Sequence, residues 1–259
     1  MRIPIYQIDA FTGRLFAGNP AAVCPLEEWL EDGVLQAIAA ENNLSETAFL
    51  VDRGGHYDLR WFTPVVEVDL CGHATLASAY VVFNYLNPSL DVARFQTQSG
   101  ELRVRREGEL LAMDFPAHPP APSEFPPELV DALGREPLET WKSRDHMAVY
   151  ETEDDVRTLK PDFTALARVD MFAVIVTAPG READFVSRFF APGGGIAEDP
   201  VTGAAHCTLV PYWAKRLGKT RLRALQLSAR GGELHCELRG ERVIIAGRAV
   251  RYLEGTVFL

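Results

Sequence analysis

At 259 residues the chain is long enough for one large domain or two of ordinary size. Its composition, 47% hydrophobic and 24% charged, is that of a globular protein, and a formal net charge of −10 leaves no basic surface for a nucleic-acid backbone. No segment approaches the roughly 18 consecutive apolar residues that a membrane span needs, and MRIPIYQIDAF carries no apolar leader, so a soluble cytoplasmic protein is expected.

Strand patterns dominate the first half: 3–11, 47–52, 57–62, 93–98, 101–107 and 110–115 alternate or run apolar between turn residues. Residues 26–40 place Leu30, Val34, Leu35 and Ile38 on one helical face, so a helix packed on a sheet is expected there. Gly72 to Leu86 reads as a helix that is apolar or small on nearly every side, hence buried all round. The proline-dense stretch 116–128, PAHPPAPSEFPPE, reads as an extended linker without ladder pairing. It divides the chain into an N-terminal half, 1–117, joined by a C-terminal strand at 250–259, and a C-terminal half, 118–249. In that second half, 171–178, 225–230, 233–239 and 242–247 read as strands, and Gly203 to Leu217 is a second buried helix. Cys24, Cys71, Cys207 and Cys236 are far apart with no C-x-x-C pair, so neither a zinc ribbon nor a redox dithiol is expected.

The two buried helices are entered by related loops. RWFTPVVEVDLCG from Arg60 and RFFAPGGGIAEDPVTG from Arg188 share an Arg, aromatic, Phe, small, Pro opening, then a Glu five residues before the helix-starting Gly. Glu67 matches Glu198, Cys71 matches Thr202, Gly72 matches Gly203 and His73 matches Ala204. A duplicated unit follows, giving an α+β fold of two pseudo-symmetric domains, each a mostly antiparallel sheet or barrel around one central helix. Each copy brings a helix N-terminus, whose unpaired amides and dipole favour an anion, so a carboxylate site in a cleft between the halves is expected.

The blocks GNPAAV (18–23), NLSETAF (43–49), FTP with EVDLCGHATLA (67–77), and FFAP with EDPVTGAAH (198–206) together resemble the phenazine-biosynthesis PhzF-like isomerase family. The resemblance runs along nearly the whole chain. It implies the diaminopimelate-epimerase-like fold, no metal or organic cofactor, a small carboxylate-bearing substrate and a homodimer. In phenazine members the implied reaction isomerises trans-2,3-dihydro-3-hydroxyanthranilate, one glutamate acting as base and then acid.

By that resemblance the catalytic residues are Glu46, His73 and Asp199, with Asn19, Gly72, Gly203 and Ala204 binding substrate. Glu46 lies beside apolar Leu44, Ala48 and Phe49, where desolvation disfavours its charge and suits it to exchange a proton with carbon. His73 in the first helical turn is expected to be neutral, because the helix dipole opposes its protonation. Asp199 precedes Pro200 and equally fits a plain turn; Glu67 and Glu198 read as structural, and Thr75 and His206 as core. Ala204 departs from the family, many of whose members carry Ser there, leaving backbone amides to hold the carboxylate. Two other readings stay open: a racemase acting through Cys71, disfavoured because Thr202 replaces a second thiol, and a non-catalytic binding member of the fold. A metal centre is a poor fourth, for Cys71, His73, His206 and Cys207 lack ligand spacing.

Overall fold

The structure is a computed structural model that describes residues 1–259. Contacts divide it into two compact units, Met1–Asp114 with Ala246–Leu259, and Phe115–Ile245. No helix is long and apolar enough to cross a membrane.

The first unit opens with β1 (Arg2–Ala10), β2 (Asn19–Leu26), α1 (Asp32–Asn42), β3 (Glu46–Asp52), β4 (Tyr57–Phe62) and the short β5 (Glu67–Val68). Then come α2 (Gly72–Val81), running into a π-helical turn at Val82–Leu86, and β6 (Val92–Thr97), β7 (Gly100–Glu107) and β8 (Leu110–Pro116). β1 lies between β2 and the C-terminal strand Ala249–Phe258, antiparallel to both. β2 runs parallel to β3, β3 antiparallel to β4, β4 parallel to β6 and β6 antiparallel to β7. α2 packs on β1, β2, β3 and β7, and its residues from His73 to Ala79 are all buried, as its sequence requires. α1 starts at Asp32 rather than at 26, because Leu26 completes β2. Its Leu35, Ile38 and Ala39 still meet Phe49 and Phe62 in one cluster, each large side chain worth roughly 1.5–3 kcal/mol of burial.

The second unit holds β9 (Ala121–Pro122), α3 (Pro127–Leu133), β10 (Glu139–Lys142), β11 (His146–Val149), α4 (Glu153–Thr158), α5 (Phe163–Leu166), β12 (Val174–Pro179) and β13 (Phe185–Phe190). It continues through α6 (Gly203–Leu217), β14 (Arg221–Gln226), β15 (Gly232–Arg239) and β16 (Arg242–Gly247), and β17 is the C-terminal strand already placed. Here β11 runs parallel to β12, β12 antiparallel to β13, β13 parallel to β14 and β14 antiparallel to β15. That is the order of β2, β3, β4, β6 and β7, with α6 following β13 as α2 follows β4. The duplication read from two loops therefore extends to the strand directions of both units.

The proline-dense segment differs from its expected role. Ala121 and Pro122 pair with Lys142 and Trp141, Ser123 N donates to Thr140 O at 3.1 Å, and Pro127 is the first residue of α3. Proline removes a donor but leaves its neighbours' amides free to pair. One such amide matters to α6, where Pro211 cannot donate to the carbonyl of Cys207 four residues back. His118 N donates to that carbonyl instead, at 2.9 Å. Trp213 stacks on Phe185 and donates its Nε1–H to Thr177 Oγ1 at 2.9 Å, tying α6 to β12 and β13.

His206 lies wholly inside this core, its Nδ1 2.8 Å from Thr202 O and its Nε2 without a partner. Burial pushes its pKa down to about 4, so between the unfolded value near 6.5 and about 4 the unfolded chain binds a proton that the folded chain refuses. Its share of stability is intact above that window and is lost as pH falls through it, by about 3 kcal/mol. Denaturant unfolding at pH 7 and pH 4 should thus show a difference smaller by about that amount in His206→Gln than in the parent. An unchanged difference would contradict a neutral buried His206.

Candidate active site

Backbone constraints place the residues of the first unit. Gly18 has φ +66°, and a Cβ there would lie 2.1 Å from Ala10 O, so only glycine makes the turn that delivers Asn19 to the start of β2. Ala21 pairs with Glu46 in the parallel ladder, which brings the start of β3 beside the start of β2. α2 begins just beyond Cys71 and puts His73 in its first turn.

These elements converge on the imidazole of His73. Its Nε2 is 2.9 Å from Glu46 Oε2, an ion-pair contact outside hydrogen-bond geometry, and neither atom has another partner although both are buried. Its Nδ1 is 3.2 Å from Asn19 Nδ2 and 3.5 Å from Cys71 Sγ. Ser45 Oγ donates to Asn19 Oδ1 at 3.1 Å. Asn19 is fully buried, and its side chain forms a layer behind His73.

The expected neutrality of His73 is corrected here. Burial works against a charge on the ring, but the Cys71 sulfur and the Glu46 carboxylate outweigh it and hold the pKa well above 6.5. A helix dipole amounts to about half a charge, spread over a turn. A full carboxylate charge in contact prevails over it. Burial, with Glu46 adding to it, pushes the Cys71 thiol up to about 11.

Glu46, Cys71 and His73 also offer ligand-type atoms within 4.8 Å of one another, a grouping that sequence spacing did not suggest. The two ring nitrogens face different neighbours, Nε2 toward Glu46 and Nδ1 toward Cys71 and Asn19, so no one lone pair serves both. The set does not fit a metal centre.

In the second unit, Asp199 N donates to Phe189 O at 3.0 Å and Thr202 Oγ1 donates to Asp199 Oδ2. Gln226, buried in β14, clamps this loop: its Oε1 accepts from Thr202 N at 2.9 Å and its Nε2 donates to Asp199 O at 2.8 Å. Gly203 opens α6, and Ala204 after it is exposed. Gly72 opens α2 in the same way. Neither Cys71 nor Thr202 caps its helix with a side chain, whereas Thr152 and Asp162 cap α4 and α5. Uncapped first-turn amides are what an anion needs. Thus Glu46, His73 and Asn19 are brought together in one unit, while Asp199, Gly203 and Ala204 gather in the other. Ser45 and Gln226 were not anticipated; Ser45 stands inside the quoted LSETAF block, but Gln226 is one polar residue in a strand and carries no local signal.

The loops repeat at atomic level. Arg60 binds Glu67 through Nε and Nη2 at 2.7 and 2.8 Å, and Arg188 binds Glu198 likewise at 2.8 and 2.9 Å. Thr75 Oγ1 donates to Cys71 O at 2.6 Å, and His206, its counterpart in the alignment, uses Nδ1 toward Thr202 O.

Comparison with known proteins agrees with this architecture. A model of the phenazine biosynthesis-like protein family, PhzC-PhzF, matches residues 8–255. An uncharacterized isomerase of Pseudomonas aeruginosa is 56% identical over 259 residues, covering all of both chains. A crystal structure of a PhzF-family phenazine biosynthesis protein of Enterococcus faecalis superposes with a TM-score of 0.98 at 50% identity, again over all of both chains. At 9% identity a hydroxyproline epimerase from Agrobacterium vitis, with 99% of this chain and 92% of that one aligned, has a TM-score of 0.65 and shares the fold alone. The chain belongs to the phenazine biosynthesis-like PhzC-PhzF family, the PhzF-like isomerases.

Proposed function

We propose that this protein is a cofactor-independent isomerase that moves a proton between two carbons of a small carboxylate-bearing substrate, with Glu46 as base and then acid. The observation that carries the reading is Glu46 Oε2, buried and without a hydrogen-bond partner yet 2.9 Å from His73 Nε2. A buried carboxylate oxygen that no hydrogen bond occupies is open to accept a proton, and leaving such a group unsatisfied costs stability that a purely structural role would not explain.

In this scheme Glu46 takes a proton from a substrate carbon while the C–H electron pair moves into the adjoining conjugated system. The neutral acid then returns that proton to a second carbon on the same face, so atoms and charge balance without a redox partner. His73 stabilises the carboxylate between turnovers and supplies a positive charge or a donor near the reacting atoms. The first-turn amides after Gly72 hold a polar group of the substrate, and Asp199 with the amides after Gly203 is the second set of this kind. A dihydro-hydroxyanthranilate-like molecule is the substrate class, and the exposed methyl of Ala204 leaves its carboxylate to backbone donors. Homodimeric assembly belongs to the same reading, and a light-scattering mass of one chain would remove it.

The test is proton NMR of the protein with trans-2,3-dihydro-3-hydroxyanthranilate in D₂O. Deuterium should enter a ring carbon with the parent, and Glu46→Gln should slow this by about 10²–10⁴-fold, the usual worth of a general base, while line broadening shows that ligand still binds. Exchange at the parent rate in Glu46→Gln would sink the proposal.

Racemisation through Cys71 is the competing chemistry, and it needs a thiolate. With the thiol held protonated to about pH 11 and Thr202 at the matching helix start, that route lacks both partners. Cys71→Ala should therefore keep its rate within about tenfold of the parent, the span that loss of one weak contact allows. Complete loss in a protein with native circular dichroism would favour the thiol instead.

A further inference from the structure

The resemblance assigned Asn19 to the substrate, yet its side chain is fully buried and occupied. Ser45 Oγ lies 3.1 Å from its Oδ1 and His73 Nδ1 lies 3.2 Å from its Nδ2. A hydroxyl proton aimed at Oδ1 leaves the NH₂ group facing the ring, and a neutral imidazole carries one donor and one acceptor nitrogen. If Nδ1 accepts from Asn19, the single ring proton must be on Nε2, the nitrogen 2.9 Å from Glu46. We propose that Asn19, oriented by Ser45, is a positioning residue that donates to His73 Nδ1 and so directs the one proton of the neutral ring at Glu46.

The chain Ser45, Asn19, His73, Glu46 then works as one unit. With Asn19 accepting from Ser45 and donating to the ring, the catalytic carboxylate faces the ring nitrogen that carries hydrogen. The tautomer of a histidine is generally set by the bond its other nitrogen makes. The charge acting on this ring is that of Glu46, on β3, while Cys71, at the start of α2, meets it as a thiol. Glu46 favours a second ring proton, whereas an N–H pointed at Nδ1 disfavours it. These opposing influences let the ring lose its charge and regain it during a cycle instead of staying permanently protonated.

The role deepens the isomerase reading and rests on it for its catalytic meaning, but its test does not need turnover. Protein labelled with ¹⁵N-histidine is studied by long-range ¹H–¹⁵N NMR above the pH at which His73 loses its charge, its signals being assigned as those missing in His73→Asn. The parent should show an unprotonated Nδ1 and a protonated Nε2, by at least about tenfold, the span of one net hydrogen bond. Asn19→Asp replaces the donor by an acceptor of the same shape and should place a proton on Nδ1. Ser45→Ala, which frees the amide to turn over, should give a mixture. An Nδ1–H form in the parent, or the same spectrum in Asn19→Asp, would overturn the assignment. With the NMR pattern as expected, failure of the D₂O experiment would count against the isomerase reading and leave this assignment standing.

Discussion

Each unit depends on one bidentate ion pair. Arg60 and Arg188 stand at the same point of β4 and β13, and each reaches with two parallel N–H bonds to the glutamate, Glu67 or Glu198, five residues before its buried helix. The guanidinium also lies over the ring of the Phe two residues on, 5.1 Å from Phe62 in one unit and 4.9 Å from Phe190 in the other. Paired, planar donors fix the carboxylate in direction as well as distance, which a lysine would not do. The loop between strand and helix is thereby held at both ends, and the helix start emerges at a defined place. In the second copy Arg188 donates further, to the carbonyls of Val156 and Leu159, so the α4 region is drawn into the same anchor.

A held helix start is where polar chemistry can be put inside a protein. α2 and α6 are buried nearly all round, and at such sites a polar group without a partner costs on the order of 1–3 kcal/mol. Both copies answer the cost in one way, by turning the fourth residue of the helix back on the cap carbonyl, through Thr75 in one and His206 in the other. They diverge two residues earlier. His73 in α2 is joined to a carboxylate, a thiol and an amide, while Ala204 in α6 has nothing to offer except its backbone. The two histidines of the buried helices are consequently opposites: His73 is held above its ordinary pKa by Glu46 and Cys71 against the cost of burial, and His206, with no carboxylate beside it, is pushed well below. Duplication supplied the frame twice, and the carboxylate, thiol and amide that surround a first-turn histidine belong to one copy.

Much of this was legible along the chain. The strands at 57–62 and 242–247 and the helix at 203–217 are found where their periodicity and bounding glycines place them, because local pattern there agrees with tertiary burial. The Arg, aromatic, Phe and Glu spacing of the loops betrayed the repeat, although not the bidentate bridge that explains it. Elsewhere local signals misled. Proline density at 116–128 suggested a bare linker, but the amides between the prolines pair, and His118 serves the carbonyl that Pro211 leaves open inside α6. That bond links residues 89 positions apart, His118 and Cys207. Likewise β14 ends at Gln226 where the pattern suggested a strand to 230, because Gln226 is turned into the Asp199 loop.

What the sequence by itself determined is the fold class, the duplication, the buried character of α2 and α6 and the motifs around Glu46, His73 and Asp199. Each is carried by neighbours in the chain: periodicity, glycine before a helix, a short run of residue types. Only the tertiary structure decided that Glu46 lies 2.9 Å from His73, that Asn19 stands behind the ring, that Ser45 bonds to Asn19, and that Gln226 clamps the Asp199 loop. Those relations join strands and helices whose residues are 26 to 54 positions apart for Ser45, Asn19 and His73. Charge and tautomer depend on which groups burial brings within about 3–4 Å of one another.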